Sequence, residues 1–132
     1  MSNPYQRRRS SKSQAALPTQ EEFYQQSYID FLHQIVAINH VWGLASDHWA
    51  LCSTSHGDKA MPIWSKQSSA LMNCAKDWKD YEPHLISLRM LLEEILPQLV
   101  ENNILVAMER TTTGEAIYVD PKMILEHIIP TE

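Results

Sequence analysis

The chain has 132 residues, 44 % of them hydrophobic and 20 % charged, enough for one small globular domain and too few for two ordinary ones. Its formal charge of -5 is uneven: residues 1–18 hold Arg7, Arg8, Arg9 and Lys12 with no acid, giving +4, so residues 19–132 carry -5 minus 4, or -9. No apolar run is long enough to span a bilayer, no apolar stretch follows Arg7-Arg8-Arg9, and the only cysteines are Cys52 and Cys74, so a cytoplasmic, reduced protein with no membrane partner is expected.

Residues 1–18 are rich in Ser, Gln and Arg and cannot bury enough apolar surface to order themselves, which predicts a disordered basic tail. Nucleic-acid contact is confined to this tail, because an acidic body repels phosphate. The folded domain is expected over 19–132. Thr19 and Glu22 have capping-box spacing and open a helix. Phe23, Tyr24, Tyr28, Phe31, Leu32, Ile35 and Val36 recur at helical spacing and carry it from near residue 20 to about 38, where Asn39-His40 ends it.

Residues 41–45 and 48–53 read as two strands joined by a tight turn at Ser46-Asp47, apolar on both faces and so central in a sheet. Gly43, between Trp42 and Leu44, predicts a bulge or close approach of another element. After a turn over 54–59, residues 60–64 form a third strand, which Pro62 assigns to an edge or a bulge. Ser65 then caps a helix with Leu71, Cys74, Ala75 and Trp78 on its apolar face, broken by Tyr81-Glu82-Pro83. An extended piece over 84–86 precedes a helix capped by Ser87 and bent or restarted by Pro97. Residues 104–109 and 115–119 form a hairpin around Thr112-Thr113-Gly114. Asp120-Pro121 opens a last helix with Met123, Ile124, Leu125 and Ile128 on its apolar side. Strands and helices cluster instead of alternating, so the expected fold class is α+β: one domain with a mainly antiparallel sheet of about five strands and helices packed on it.

The candidate chemistry is sparse. His48, Cys52, His56 and Asp58 are residue types that zinc accepts, but they lack paired ligand spacing and two of them sit on a turn, so no metal and no cofactor is expected. Cys52 with His48 or His84 as base is the enzyme alternative; a reactive thiolate needs an electropositive surrounding, which an acidic body disfavours. Glu93 and Glu94 point about 100° apart on a helix and read as a solvated face. Glycines number three and are not grouped, which removes a phosphate-binding loop. The tryptophans at 42, 49, 64 and 78 are large enough to organise a small core. Trp42 and Trp49 are expected inside. Trp64, on the proline-bearing strand, is expected to face outward, and Trp64, Trp78 and Tyr81 are the candidate binding residues.

The blocks Val41-Trp42-Gly43-Leu44, Trp49-Ala50, Pro62-x-Trp64, Trp78 with Tyr81-x-Pro83, Ile86-x-Leu88, Leu96-Pro97-x-Leu99 and Val119-x-Pro121 resemble the bacterial family catalogued as domain of unknown function 2750. They span roughly residues 20–130, and His48 departs from the glycine expected before Trp49. The resemblance implies a small single-domain bacterial protein and no particular activity. With the acidic body, the expectation is a binding protein for a basic protein partner, of immunity or antitoxin type.

Overall fold

The structure, a computed structural model, describes residues 20–128; the expected tail over 1–18 and the Thr19 half of the capping box lie outside the described residues. Helix α1 (Gln20–Ile38) buries Tyr28, Phe31, Leu32 and Ile35, spaced i, i+3, i+4, i+7. Phe23, Tyr24 and Val36, expected on the same face, are exposed. Val36 is a step of about 100° from Ile35 and turns off the stripe. Asn39, in the left-handed region at φ 67°, ends the helix by donating its N–H to Ile35 O at 2.8 Å.

Strand β1 (His40–Ala45) turns back at 46–48, where Ser46 N–H donates to His48 O and Ala50 N–H to Leu44 O. The expected second strand stops there. Its next place would be beside Trp42, but the backbone N–H and C=O of Trp42 are both bonded to Trp64, at 2.7 and 2.9 Å respectively. The chain is diverted and forms only the short β2 (Cys52–Ser53), paired with β3 (Lys59–Ile63). Gly43 does mark a close approach: a Cβ there would stand 3.0 Å from Ile86 Cδ1 and 3.1 Å from the Trp49 ring.

Strand β3 is not an edge. It lies between β2 and β5 (Leu105–Met108), which runs parallel to it. Pro62 is tolerated because its nitrogen points to the same side as Trp64 N–H, and on that side β2 has ended at Ala60 while β1 touches only Trp64. β6 (Ile117–Val119) pairs antiparallel with β5, and β4 (Glu82–Ser87) pairs antiparallel with β1. The result is a four-stranded sheet, β2-β3-β5-β6, and a two-stranded one, β1-β4, bridged at Trp42 and Trp64. Six strands replace the expected five or so, and all but the β3–β5 pair are antiparallel.

Helix α2 (Gln67–Asp77) buries Ala70, Asn73 and Cys74, whereas Leu71 and Ala75 face outward. Helix α3 is α-helical over Leu88–Met90, π-helical over Leu91–Ile95 and α-helical again over Leu96–Glu101. Ser87 caps it as expected, accepting from Met90 N–H at 3.0 Å, and the wide turn directly precedes Pro97, which has no N–H to continue the helical ladder. Helix α4 (Pro121–His127) is capped by Asp120, which accepts from Lys122 N–H. The fold is thus α+β in one small domain, with a main core of Tyr28, Ile35, Val41, Ile86, Leu91, Val106 and Ile124 among others.

Candidate functional site at the Trp78 corner

A second, smaller apolar cluster lies apart from the main core. Leu44, Ala50, Trp64, Ala70 and Cys74 are buried in it, with Trp42, Trp78 and Tyr81 packed around them. Trp64 is therefore brought together with Trp78 and Tyr81, which lie in a separate sequence block.

The expected outward position of Trp64 is overturned: its ring is 0 % exposed. The β1 bridge closes over its backbone, and its Nε1 donates to Arg110 O at 2.8 Å, which satisfies the one polar atom of the ring. Trp42 and Trp49, expected inside, are half-buried.

Glu109 and Arg110 hold the cluster together. β5 ends at Met108, and the left-handed backbone of Glu109, φ 54°, turns the chain. The Glu109 carboxylate accepts from Ser65 N–H at 2.9 Å and from Ser65 Oγ at 2.8 Å. Ser65 is therefore not the helix cap; α2 starts at Gln67 after Lys66, which makes no side-chain cap. The Arg110 carbonyl accepts from Trp64 Nε1 and from Asn73 Nδ2 at 2.9 Å, while Arg110 Nη1 donates to Asn73 Oδ1 at 3.0 Å. Asn73 Nδ2 also donates to Ser69 O, so this buried amide is satisfied at both ends. These bonds explain why α2 turns Asn73 inward and Leu71 outward.

The Arg110 guanidinium lies 4.8 Å from the centre of the Trp78 ring and 3.2 Å from Asp77 Oδ2. It backs the inner side of the corner over 77–82, where Trp78 and Tyr81 are half-buried and Asp77, Asp80 and Glu82 are exposed. Cys74 Sγ donates to Trp78 O at 3.1 Å and Tyr81 O at 2.8 Å, fixing the backbone of the turn.

Cys52 lies beside Arg110 and Tyr118. Burial pushes its thiol pKa up, and the opposing pull of Arg110 and Tyr118 does not restore it. Burial also raises the Tyr118 phenol, with Cys52 adding to the effect. His48 stacks edge-on against Tyr81 and His84 against Trp49. His56 and Asp58 donate backbone N–H groups to Thr54 Oγ1 in their turn. Among the described residues, no three His, Cys, Asp or Glu side chains are placed to hold a metal ion. Nor is any described helix long and apolar enough to cross a membrane.

A different surface, a groove of about 890 Å³, runs between α1 and the helices α3 and α4, lined by Tyr28, Leu32, Val36, Leu88, Leu92 and Met123. It is mostly apolar, with Gln25, His33 and His127 as its polar members, and carries no carboxylate.

The family described as protein of unknown function DUF2750 matches residues 28–128, which takes in every strand and all of α2, α3 and α4. The chain belongs to this family. No curated protein matches it. Family membership covers the whole Trp78 corner, including Asn73, Glu109 and Arg110, which the sequence reading did not single out. Asn73 left a usable signal: a polar amide three residues after Ala70 and beside Cys74, on a face that has to be buried, requires a polar partner.

Proposed function

We propose that this chain is a cytoplasmic bacterial binding protein that captures a basic protein partner through the Trp78 corner, in the manner of an immunity protein or antitoxin. The observation that carries this reading is the composition of the corner. Two half-buried aromatic rings, Trp78 and Tyr81, stand among the exposed carboxylates of Asp77, Asp80 and Glu82, with Lys79 as the one base in the segment. Aromatic rings held rigid from behind give contact area at low entropic cost, and flanking charge steers and orients a partner of opposite sign. The charge of the body favours the same class of partner. Trp64 supports the corner from inside and makes no direct contact with the partner.

The enzyme alternative on Cys52 has less support, since the raised thiol pKa and the engagement of His48 and His84 with other rings both act against a paired nucleophile and base. The test is capture from native lysate on the immobilised protein, with identification of what is retained. A basic protein released by moderate salt, and lost from Tyr81→Ala, supports the reading. Retention of the same protein by Tyr81→Ala, or a retained protein that is acidic, overturns it.

A further inference from the structure

We infer that the open edge of β4 is an interface between two copies of this chain, paired antiparallel about a two-fold axis at Leu85. Among the described residues no strand pairs with this edge. Leu85 is 56 % exposed although it sits in the middle of the strand.

The register fixes which backbone groups the edge presents. Leu88 N–H donates to Asn39 O, so by alternation Ile86, His84 and Glu82 turn their backbone groups to β1, and Ser87, Leu85 and Pro83 turn theirs outward. β1 gives an independent check. Trp42 and Leu44, opposite Leu85 and Pro83, send their groups away from β4, to Trp64 and to Ala50.

These outward groups complement themselves in one register. With Leu85 opposite Leu85 of the other copy, each Leu85 N–H meets a Leu85 carbonyl, and each Ser87 N–H meets a Pro83 carbonyl. The two remaining positions also agree. Pro83 has no N–H, and it faces the carbonyl of Ser87, so no donor is left over at these positions. No outward donor is left without an acceptor. The proline, which commonly protects an edge strand from pairing, is accommodated in this register because no donor is required of it. The pairing also covers the two Leu85 side chains with each other on one face, and it brings the acidic Glu82 end of each strand towards the end of the other that carries Arg89.

The experiment uses the full chain. Light scattering over a micromolar dilution series should give twice 15.2 kDa at the upper end. Leu85→Lys, a change on an exposed side chain that sets two cations face to face, should return 15.2 kDa. Leu85→Pro removes the outward N–H, which β1 does not use, and should act likewise; should it unfold because proline also fixes φ, the lysine variant and the following cross-link decide. Paired positions of this type lie about 5.5 Å apart, within the roughly 4.4–6.8 Å that a disulfide spans. Leu85→Cys should therefore oxidise to a covalent dimer. Ser87→Cys should not, because its twin is four residues along the ladder, about 13 Å away, and the wild type with Cys52 and Cys74 is the control. A wild type that stays at 15.2 kDa throughout overturns the inference. A dimer that survives Leu85→Lys and leaves Leu85→Cys uncross-linked overturns it as well.

Discussion

The two apolar clusters are stabilised in different ways. At the centre of the larger one, Ile35, Val41, Ile86, Leu91, Val106 and Ile124 are aliphatic side chains from α1, the three strands β1, β4 and β5, and the helices α3 and α4, and burial of area accounts for their packing. The smaller one has one large buried ring, Trp64, with Leu44 and the small residues Ala50, Ala70 and Cys74. Directional bonds supply what area does not. The two buried polar residues among those described, Ser65 and Asn73, both lie at its border, and each is bonded to the Glu109-Arg110 dipeptide. A surface meant to keep one shape while half exposed is better served by such bonds than by a soft apolar contact, and the Trp78 corner is built on the cluster of this kind.

The largest effect expected from breaking this comparison is at Trp64. Trp64→Ala should cost about 3–5 kcal/mol in urea unfolding, because it removes a fully buried ring and leaves a cavity. Trp42→Ala and Trp49→Ala, at half-buried rings, should each cost less. A Trp42→Ala loss equal to that of Trp64→Ala would mean that the smaller cluster is centred elsewhere.

Next in size is Asn73→Ala, expected to cost about 1–3 kcal/mol, since Arg110 loses both an acceptor for Nη1 and a donor to its carbonyl. The same variant should loosen the corner, seen as easier acrylamide quenching of tryptophan emission. In the larger core, Ile35→Val should cost about 0.5–1.5 kcal/mol and leave quenching unchanged. A quenching change from Ile35→Val equal to that from Asn73→Ala would remove the distinction between the clusters.

The smallest effect is on pH dependence. The pKa values of Cys52, Cys74, Tyr28 and Tyr118 are all raised, chiefly by burial. The folded state therefore holds protons that the unfolded state has released. Stability from these groups is fully present below the ordinary thiol and phenol ranges and is lost as pH rises through the raised values. Urea midpoints should fall as pH rises through the alkaline range, and Cys52 should react with iodoacetamide more slowly than a free thiol at mildly alkaline pH. A midpoint that rises with alkaline pH would contradict the burial of these groups.

What could be read from the sequence was mostly local. Ser87 and Asp120 cap their helices, Pro97 disturbs α3, Gly43 admits a close neighbour, and the hairpin over 105–119 turns through Gly114 at φ 95°, each by rules that act within a few residues. The candidate site was legible only in part. Trp78 and Tyr81 stand in a turn that Tyr81-Glu82-Pro83 announces, and the structure leaves them half-buried there. The inward position of Trp64 depends on Trp42, 22 residues earlier in the chain, and on the Arg110 carbonyl, a partner 46 residues later. Periodicity on one strand carries no information about either. The apolar face of α2 was misread for a related reason: hydrophobicity favours Leu71, but the bonds offered by Arg110 select Asn73.

The central claim is that the corner captures a basic partner by charge and aromatic contact together. The direct measurement is capture of that partner by the wild type and by the double variant Asp80→Lys with Glu82→Lys, alongside the urea midpoint of each. Both side chains are exposed, so each change should move stability by no more than about 0.5 kcal/mol. The account predicts an unchanged midpoint with capture abolished for the variant. A variant that keeps the wild-type midpoint and still holds the partner to the same salt concentration would contradict it.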